Sequence, residues 1–193
     1  MEPEVGEHRD QLLAGLSGRV LEIGAGNGIN FGHYPATVDE VVALEPEPYM
    51  RTRAEQAATT ARARVTVVAG VAEKLSFAAD SFDAVVTCLV LCSVTDPERV
   101  ISEAARVLRP GGELRFLEHV KSSRPNKARL QGLADRSGIW PRLGGGCHSA
   151  RDTLACVEAA GFQVQSSTRF DVGPAWAITN PHVLGSAVSP DRP

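Results

Sequence analysis

Three glycines at alternate positions follow a short apolar run near the start of the chain, and an acid precedes them. The stretch VLEIGAGNGINF occupies residues 20–31, with Glu22 two residues before the first glycine. The glycines are Gly24, Gly26 and Gly28. A glycine-rich turn after a strand usually cradles a phosphate with its backbone N–H groups. The dinucleotide pattern G-x-G-x-x-G would need a glycine at position 29, where this chain has Ile29.

The charge of Glu22 does not suit a phosphate ligand. Two unit charges about 4 Å apart interact by roughly 4 kcal/mol at an effective dielectric of 20, and against a pyrophosphate the sign is unfavourable. S-adenosylmethionine fits better, because it has an ammonium and a sulfonium but no phosphate, and its carboxylate can accept backbone N–H groups. A second acid, Glu45, follows about 20 residues later, where a carboxylate accepts ribose hydroxyls in nucleotide-binding sheets. These features predict S-adenosylmethionine as cofactor and S-adenosylhomocysteine as product.

The elements that must position these residues are short apolar runs alternating with helical patterns. The runs RVLEI, EVVAL, VTVVA, FDAVVTCLV and GELRFLEHV suit strands buried on both faces of a parallel sheet. Helices are predicted over residues 48–60, over 97–108 with Asp96 as N-cap, and over 151–160. The runs FQVQSSTRF and HVLGSAV predict two further strands. This order predicts an α/β fold, a Rossmann-like doubly wound, mostly parallel seven-stranded sheet with helices on both faces.

Length and composition favour a single domain. The 193 residues, of which 43% are hydrophobic, are enough for one full core. Apolar residues at helical spacing predict a leading helix within residues 1–18, ended by Gly18. We expect residues 121–150 to form a substrate-lid segment and the tail at 189–193 to be frayed.

Charge and hydropathy narrow the classes of partner. The net charge of -3 and the 5% aromatic content argue against a nucleic-acid binder. No apolar run approaches the roughly 18 residues of a membrane span, and the first ten residues hold four acids instead of a basic signal-peptide start. We therefore expect a cytoplasmic protein without a stable membrane anchor, whose partner is a small molecule. The sequence leaves the oligomeric state open.

Four cysteines occur without any C-x-x-C pair, so we expect reduced thiols and no disulfides. Cys88, Cys92, Cys147 and His148 form one conceivable metal-binding set. Their spacing is not that of common zinc sites, and small buried hydrophobic side chains are the better interpretation. The sequence therefore predicts no metal site.

Several motifs resemble known enzymes. With LEIGAGNG, ALEPEPYM, GVAEKLSFAADSFDAVV and RVLRPGGELRFLEHV, the chain resembles class I S-adenosylmethionine-dependent methyltransferases over nearly its whole length. NFGHYP, LVLCSV, EHV, GC and PHVLGSAV are similar to motifs of the methyltransferase-like thiol S-methyltransferase family. The resemblance implies methyl transfer to a small-molecule acceptor, with a thiol as first choice. Animal members of that family begin with a hydrophobic anchor, whereas this chain begins with an acidic helix, so we do not carry membrane attachment over.

The resemblance also assigns cofactor roles to residues at successive strand ends. It implies that the glycine loop approaches the methionine moiety, with Glu22 at the ammonium group and Glu45 at the ribose. Related enzymes often have Asp where this chain has Val71, which leaves the adenine amino group to Glu73 or to backbone carbonyls. The expected cofactor-binding residues are Glu22, Gly24, Ala25, Gly26, Gly28, Asn30, Glu45, Pro46, Met50, Val71, Ala72, Glu73, Thr87 and Leu89.

On the acceptor side, His119 follows the fifth strand and is the candidate catalytic residue. It could orient or deprotonate the acceptor, with a structural histidine as the alternative. Methyl transfer needs mainly the positioning of nucleophile and methyl group, and a positive pocket would raise the thiolate fraction of a thiol acceptor. Such a potential could come from residues 121–150, where only Asp135 is acidic, although a solvated face is an equal alternative. The basic residues there are Lys121, Arg124, Lys127, Arg129, Arg136 and Arg142.

Other functions remain open at the level of sequence. The same chemistry could methylate nitrogen, oxygen or carbon of an amine, a phospholipid headgroup, a phenol or a quinone. A protein that binds S-adenosylmethionine without catalysis is a second class. A nicotinamide-dependent oxidoreductase is a third, and Ile29 and Glu22 both disfavour it.

Overall fold

The computed structural model describes residues 2–190, with side chains from residue 5 onward. Within this range the strands are β1 (Gly18–Ile23), β2 (Val38–Leu44), β3 (Arg64–Val68), β4 (Phe82–Cys88), β5 (Leu108–His119), β6 (Gln163–Asp171) and β7 (Pro181–Val188). The helices are α1 (Glu2–Leu13), α2 (Pro48–Ala58), α3 (Pro97–Val107), α4 (Pro125–Ser137), α5 (Ile139–Leu143) and α6 (Thr153–Ala159), with a 3-10 helix over Ile29–His33. None of these helices is long and apolar enough to cross a membrane.

The seven strands form one sheet in the order β3-β2-β1-β4-β5-β7-β6. Strands β1 to β5 pair in parallel, and β7 is antiparallel to both β5 and β6. The strand order reverses between β1 and β4, and in open sheets of this kind ligands bind beyond the carboxyl ends of the strands at that point. The predicted doubly wound, mostly parallel seven-stranded sheet is confirmed.

Two apolar layers cover the faces of the sheet. Successive residues of a strand point to opposite faces, so Leu21 and Val85 pack in the layer that includes α3, whereas Val20 and Val86 pack in the layer that includes α1. All four side chains are fully buried. The strands therefore have apolar side chains on both faces, which is the pattern expected of a covered parallel sheet.

Both ends of the chain differ from the sequence-based expectation. Helix α1 ends at Leu13 instead of Gly18, because Gly15 has φ +75°, a left-handed conformation that ends the helix. Gly18 begins β1 and must be glycine, since a Cβ there would overlap the Asp83 carboxylate. At the other end, Ser189 is buried and its N–H donates to Gly112 O at 2.8 Å, so this residue is not frayed. Residues 191–193 of the expected tail lie outside the described residues.

Residues 121–150 fold into α4, α5 and their connections between β5 and α6. A buried amide fixes this segment: Gln131 Nε2 donates to the carbonyl oxygens of Val120, Ser149 and Ile178, and Gln131 Oε1 accepts from Ser122 N at 2.7 Å. Three carbonyls and one N–H from different parts of the chain thus find their partners on one side chain. The segment is held at its base by buried hydrogen bonds.

Candidate active site

A cleft of about 530 Å³ lies at the carboxyl ends of β1, β2 and β3 and the loop that follows β4. The expected cofactor-binding residues on its wall are Gly24, Gly26, Glu45, Pro46, Met50, Val71, Ala72, Glu73 and Leu89. The wall also includes Val90, next to Leu89, and residues that the sequence did not single out, namely Leu44, Ser93, Val94, Thr95 and Gly145. Residues from five segments of the chain therefore meet at the position where the fold predicts a ligand.

The glycines of the loop differ in what surrounds them. All have positive φ, with values of 68° at Gly24, 57° at Gly26 and 80° at Gly28. A Cβ on Gly26 would meet no atom within 4 Å, so this position leaves the backbone open to the cleft. A Cβ on Gly28 would overlap Phe31 and Ala57. Gly28 therefore permits the packing of the 3-10 helix on α2 and does not contribute to the cleft wall.

Glu45, unlike Glu22, lies on the wall of the cleft. Its Oε2 accepts from Gly26 N at 2.8 Å and its Oε1 accepts from Glu47 N at 3.0 Å. These backbone donors fix the orientation of the carboxylate, and each oxygen keeps a second lone pair. An anchored carboxylate with two remaining acceptor positions fits the two hydroxyls of a ribose. S-adenosylmethionine has such a ribose in its nucleoside part.

The turn after β3 forms the end of the cleft where the resemblance implies adenine. Val71 and Met50 are exposed apolar side chains on the wall, suited to contact a planar base. Glu73 Oε1 accepts from Thr95 N at 3.0 Å, and Glu73 O accepts from Arg99 Nε at 3.2 Å. The Glu73 side chain thus joins this turn to the loop before α3 while it lines the cleft.

Glu22 lies behind the cleft wall instead of on it. It is 1% exposed, and its carboxylate accepts from Asn30 Nδ2 at 2.7 Å and from Tyr34 OH at 2.9 Å. Burial raises the pKa of Glu22 to about 7, although Asn30, Tyr34 and the charge of Arg9 act in the opposite direction. Arg9 Nη1 donates to Asn30 Oδ1 at 2.5 Å, so Asn30 bridges the carboxylate and the guanidinium.

Two further expected cofactor residues are buried beneath the cleft. Ala25 donates its N–H to Leu44 O at 3.0 Å and ties the glycine loop to β2. Thr87 is fully buried near the end of β4. Like Glu22, Gly28 and Asn30, these two residues are not among the described residues that line the cleft. Their position was not evident from the sequence, because a motif does not tell which side chains of a turn point inward.

A second cavity, of about 310 Å³, adjoins the cleft, and Leu89 lines both. Leu89 has φ 60°, and its N–H donates to Leu117 O at 2.7 Å. The apolar wall of the cavity includes Val5, Leu89, Trp140, Val172, Pro174 and Ala177. Its polar side chains are Arg9, His119, Thr179 and His182. Leu89 therefore lies between the two spaces, and we refer to the second one as the acceptor cavity.

Two buried charged residues near the cavity were not singled out from the sequence. Glu118 is fully buried at the end of β5, and its carboxylate accepts from Val90 N at 3.1 Å and Cys92 N at 3.4 Å, so it fixes the loop that follows Leu89. Burial raises the pKa of Glu118, against the effect of these backbone donors. Arg9 could have been found from its spacing, since it lies four residues after Val5 on the apolar face of α1.

His119 lies on the wall of the acceptor cavity, as expected of the candidate catalytic residue. Its Nδ1 is 3.4 Å from Cys147 Sγ and 3.6 Å from Cys92 Sγ. His182 lies beside it, with ring centroids 4.5 Å apart, and donates from Nδ1 to Asn180 O at 2.9 Å. Burial, followed by the charge of His119, lowers the pKa of His182 to about 4, so His182 is neutral near pH 7.

The expected lid segment contributes to both spaces. Trp140, Gly144 and Cys147 line the acceptor cavity, and Gly145 lines the cleft. None of the segment's six basic side chains is among the described residues that line the cavity. One of them, Lys127, donates to Asn180 Oδ1 at 3.0 Å and joins α4 to the turn before β7.

Comparisons with known proteins identify the family of the chain. Residues 21–116 match the family described as "Methyltransferase domain". Thiol S-methyltransferase TMT1B of Mus musculus is 37% identical over 186 residues, which are 91% of this chain and 73% of that protein. Thiol S-methyltransferase TMT1A of Homo sapiens is 36% identical over 187 residues, covering 92% and 74%.

The fold is also present in a solved structure with a different activity. The [4+2]-cyclase SpnF has a TM-score of 0.76 at 21% identity, with 95% of this chain and 80% of that chain covered. At this identity the likeness shows the fold alone, and the family follows from the sequence relatives. The chain belongs to the class I S-adenosylmethionine-dependent methyltransferases, in the group that includes the thiol S-methyltransferases, and S-adenosylmethionine is its cofactor.

Proposed function

We propose that this methyltransferase transfers the methyl group to the sulfur of a small apolar thiol bound in the acceptor cavity. The observation that supports this most is the junction of the two spaces at Leu89, which puts an apolar cavity directly next to the cofactor cleft. A cavity of about 310 Å³ suits a small acceptor, near the lower limit of typical ligand pockets. The identity to two thiol S-methyltransferases supports sulfur as the methylated atom.

The charge of the cavity also supports a thiol. Arg9 is only 7% exposed and lies on the wall, with Nη1 3.2 Å from the sulfur of Cys88. A buried guanidinium attracts an anion and opposes a protonated amine. A free thiol with a pKa near 8.5 is only about a few per cent thiolate at neutral pH, and this charge raises that fraction.

In this proposal the chain acts mainly by holding and orienting the reactants. When bound, S-adenosylmethionine would supply the methyl group from its sulfonium. The sulfur that loses the methyl group becomes a neutral thioether. Glu45 and the glycine loop hold the nucleoside and methionine parts, and Leu89 defines the passage between the two spaces. The acceptor loses its thiol proton, and His119 on the cavity wall is the candidate group to orient the acceptor or accept that proton. A carbon–sulfur bond to the acceptor forms as the sulfonium bond breaks.

Residues 121–150 serve as the substrate lid in this proposal, and the position of Trp140 and Cys147 on the cavity wall supports that role. We also propose a cytoplasmic location, since all four cysteines are free and oxidising compartments favour disulfides. The net charge of -3 supports a small-molecule acceptor over nucleic acid.

The test is a methyl-transfer assay with a panel of alkyl and aryl thiols, amines, phenols and phosphatidylethanolamine, followed by mass spectrometry of the products. We expect S-methyl thioethers and S-adenosylhomocysteine in equal amounts. Methylated amines or carbon acids without any thioether would contradict the choice of sulfur.

A variant that removes the charge of Arg9 tests the effect of this guanidinium on the thiol acceptor. Arg9→Gln should lower kcat/KM for thiols by about tenfold, since a unit charge near a thiolate contributes on the order of 1.4 kcal/mol. Arg9→Lys should restore part of the loss. Arg53→Gln, an exposed change on α2, is the matched control and should leave kcat/KM unchanged.

A further inference from the structure

Two cysteines and a histidine converge at the acceptor cavity from three separate parts of the chain. Cys92 follows β4, His119 ends β5, and Cys147 follows α5. Their ligand atoms all lie within 4.8 Å of one another, with His119 Nδ1 3.6 Å from Cys92 Sγ and 3.4 Å from Cys147 Sγ. This set differs from the one suggested by the sequence: Cys88 contacts Arg9, and His119 takes the place of His148.

These distances fit a tetrahedral metal site. With Zn–S near 2.3 Å and Zn–N near 2.05 Å, tetrahedral angles separate a sulfur and a nitrogen ligand by about 3.5 Å. Two thiolates and one imidazole are a known zinc ligand set, and three protein ligands leave the fourth position for water or substrate, as in catalytic zinc sites.

The backbone holds the two cysteines in place. His148 N donates to Cys92 O at 2.6 Å, which joins the two cysteine-bearing loops next to the sulfur atoms. A Cβ on Gly146, which has φ +89°, would lie 3.2 Å from Ser93 O, so the loops touch closely there. Glu118 accepts from Cys92 N and anchors the same loop from below. The sulfur positions are therefore built into the fold.

Access to the cluster is from the acceptor cavity. Cys92 is 1% exposed and Cys147 is 5% exposed, whereas His119 is partly exposed. Cys147 and His119 line the cavity, and Cys92 lies behind them. An ion held by all three would be shielded from bulk solvent and reached through the space that we assign to the acceptor.

We propose that Cys92, His119 and Cys147 bind a Zn²⁺ ion whose fourth coordination position takes the sulfur of the acceptor thiol. The second half of this inference rests on the proposed thiol methyltransferase function. It replaces the sequence-based expectation that the chain has no metal site. His119 then acts as a ligand through Nδ1 and is not the proton acceptor.

The chemistry needs no oxidant or reductant. The acceptor thiol releases its proton to solvent as its sulfur binds the ion, because zinc favours the thiolate. An electron pair of that sulfur forms the new bond to the methyl carbon, and the pair of the breaking sulfonium bond stays with S-adenosylhomocysteine. The product is a neutral thioether, a weaker ligand than a thiolate, so it can leave the ion.

The first test is the metal content of the purified, reduced chain. We expect about one zinc per chain by mass spectrometry, and Co²⁺ substitution should give the intense thiolate-to-cobalt absorption of a thiolate site. Cys147→Ser and Cys92→Ser should each lower metal affinity at least tenfold and weaken that band. Cys156→Ser, a half-buried cysteine on α6, is the matched control and should keep both. Far-ultraviolet circular dichroism and binding of S-adenosylmethionine show whether each variant is folded.

The outcomes separate this inference from the proposed function. Thiol methylation at an undiminished rate by chain stripped of metal would overturn the zinc role and leave the function intact. Stoichiometric zinc without methylation of any thiol would support the ion but overturn its role toward the acceptor. Failure of the reduced wild-type chain to bind Zn²⁺ or Co²⁺, with a Cys92–Cys147 disulfide on oxidation, would overturn the site itself.

Discussion

At the scale of single residues, we expect Glu45 to make the contact on which cofactor binding depends most. Its carboxylate is 6% exposed and is oriented by the N–H groups of Gly26 and Glu47. A hydrogen bond to an ionised group contributes about 1.5–3 kcal/mol, roughly twice that of a neutral pair. The charge of this one side chain should therefore be visible in the dissociation constant of S-adenosylmethionine.

We expect Glu45→Gln to raise the Kd of S-adenosylmethionine by about tenfold or more, because the amide loses the charge-assisted bonds to the ribose. Isothermal titration calorimetry measures the change directly. Glu55→Gln, an exposed change on α2, removes the same charge away from the cleft and should leave Kd unchanged. Equal affinities of the Glu45→Gln and wild-type chains would mean that the ribose does not bind this carboxylate.

Glu22 makes the stability of the fold depend on pH. Burial raises its pKa from an ordinary value of 4.5 to about 7 in the folded chain. Its contribution to the free energy of unfolding is therefore fully present below about pH 4.5 and is lost as pH rises through 7. The largest difference is on the order of 3 kcal/mol, at about 1.4 kcal/mol per pKa unit.

Replacing this carboxylate should flatten the pH profile. We expect the free energy of unfolding of Glu22→Gln to fall less steeply between pH 4.5 and 7 than that of the wild type. Urea denaturation at several pH values measures both curves, with Glu55→Gln as the control for loss of an exposed acid. Parallel curves for Glu22→Gln and wild type would show that this residue does not titrate in that interval.

At the scale of elements, hydrogen bonds attach α4 to the core of the domain, whereas part of α5 is exposed. The four hydrogen bonds of Gln131 attach α4 to the core, and the Asp135 carboxylate accepts from the N–H groups of Ser149 and Ala150. Beyond this base, Leu143 on α5 is 79% exposed. Trp140, on the same short helix, lines the acceptor cavity. We therefore expect Trp140 to contribute most of the apolar contact between this segment and an acceptor.

We expect Trp140→Ala to raise KM for the acceptor several-fold, because removing this half-buried aromatic side chain from the cavity wall loses apolar contact with the acceptor. The Kd of S-adenosylmethionine should stay the same, since Trp140 does not line the cleft. Steady-state kinetics with a saturating cofactor concentration measures the effect. Leu143→Ala on the same helix is the control, and an equal rise in KM there would contradict a specific covering role for Trp140.

At the scale of the whole molecule, the sequence predicted the sheet and the cofactor cleft but not the acceptor cavity. The carboxyl ends of parallel strands meet at one edge, so local motifs after β1 and β2 were enough to bring Gly26 and Glu45 together. The cavity instead joins Arg9 of α1 to His182 of β7, and only the insertion of β7 between β5 and β6 brings them together. Local patterns contain no information on such long-range placement.

The fold also determines which nucleotide cofactor the cleft accepts. In a dinucleotide site the backbone N–H groups of the glycine turn bind pyrophosphate. Here Gly26 N donates to the Glu45 carboxylate, so that donor is already paired with a negative charge. Glu22 is behind the wall, and Ile29 begins the 3-10 helix where the dinucleotide pattern has glycine. We therefore expect the Glu45 carboxylate to disfavour pyrophosphate at this turn.

A thermal denaturation experiment tests this for the folded chain as a whole. A ligand that binds only the native state at about 100 times its Kd stabilises it by about 2.7 kcal/mol, which shifts Tm by roughly 5–10 °C for a domain of this size. We expect S-adenosylmethionine to produce such a shift and NAD at equal concentration to produce none. Glu45→Gln should reduce the shift with S-adenosylmethionine, since it weakens the ribose contact. A comparable rise of Tm with NAD would mean that the Gly26 N–H can exchange its carboxylate partner for a phosphate.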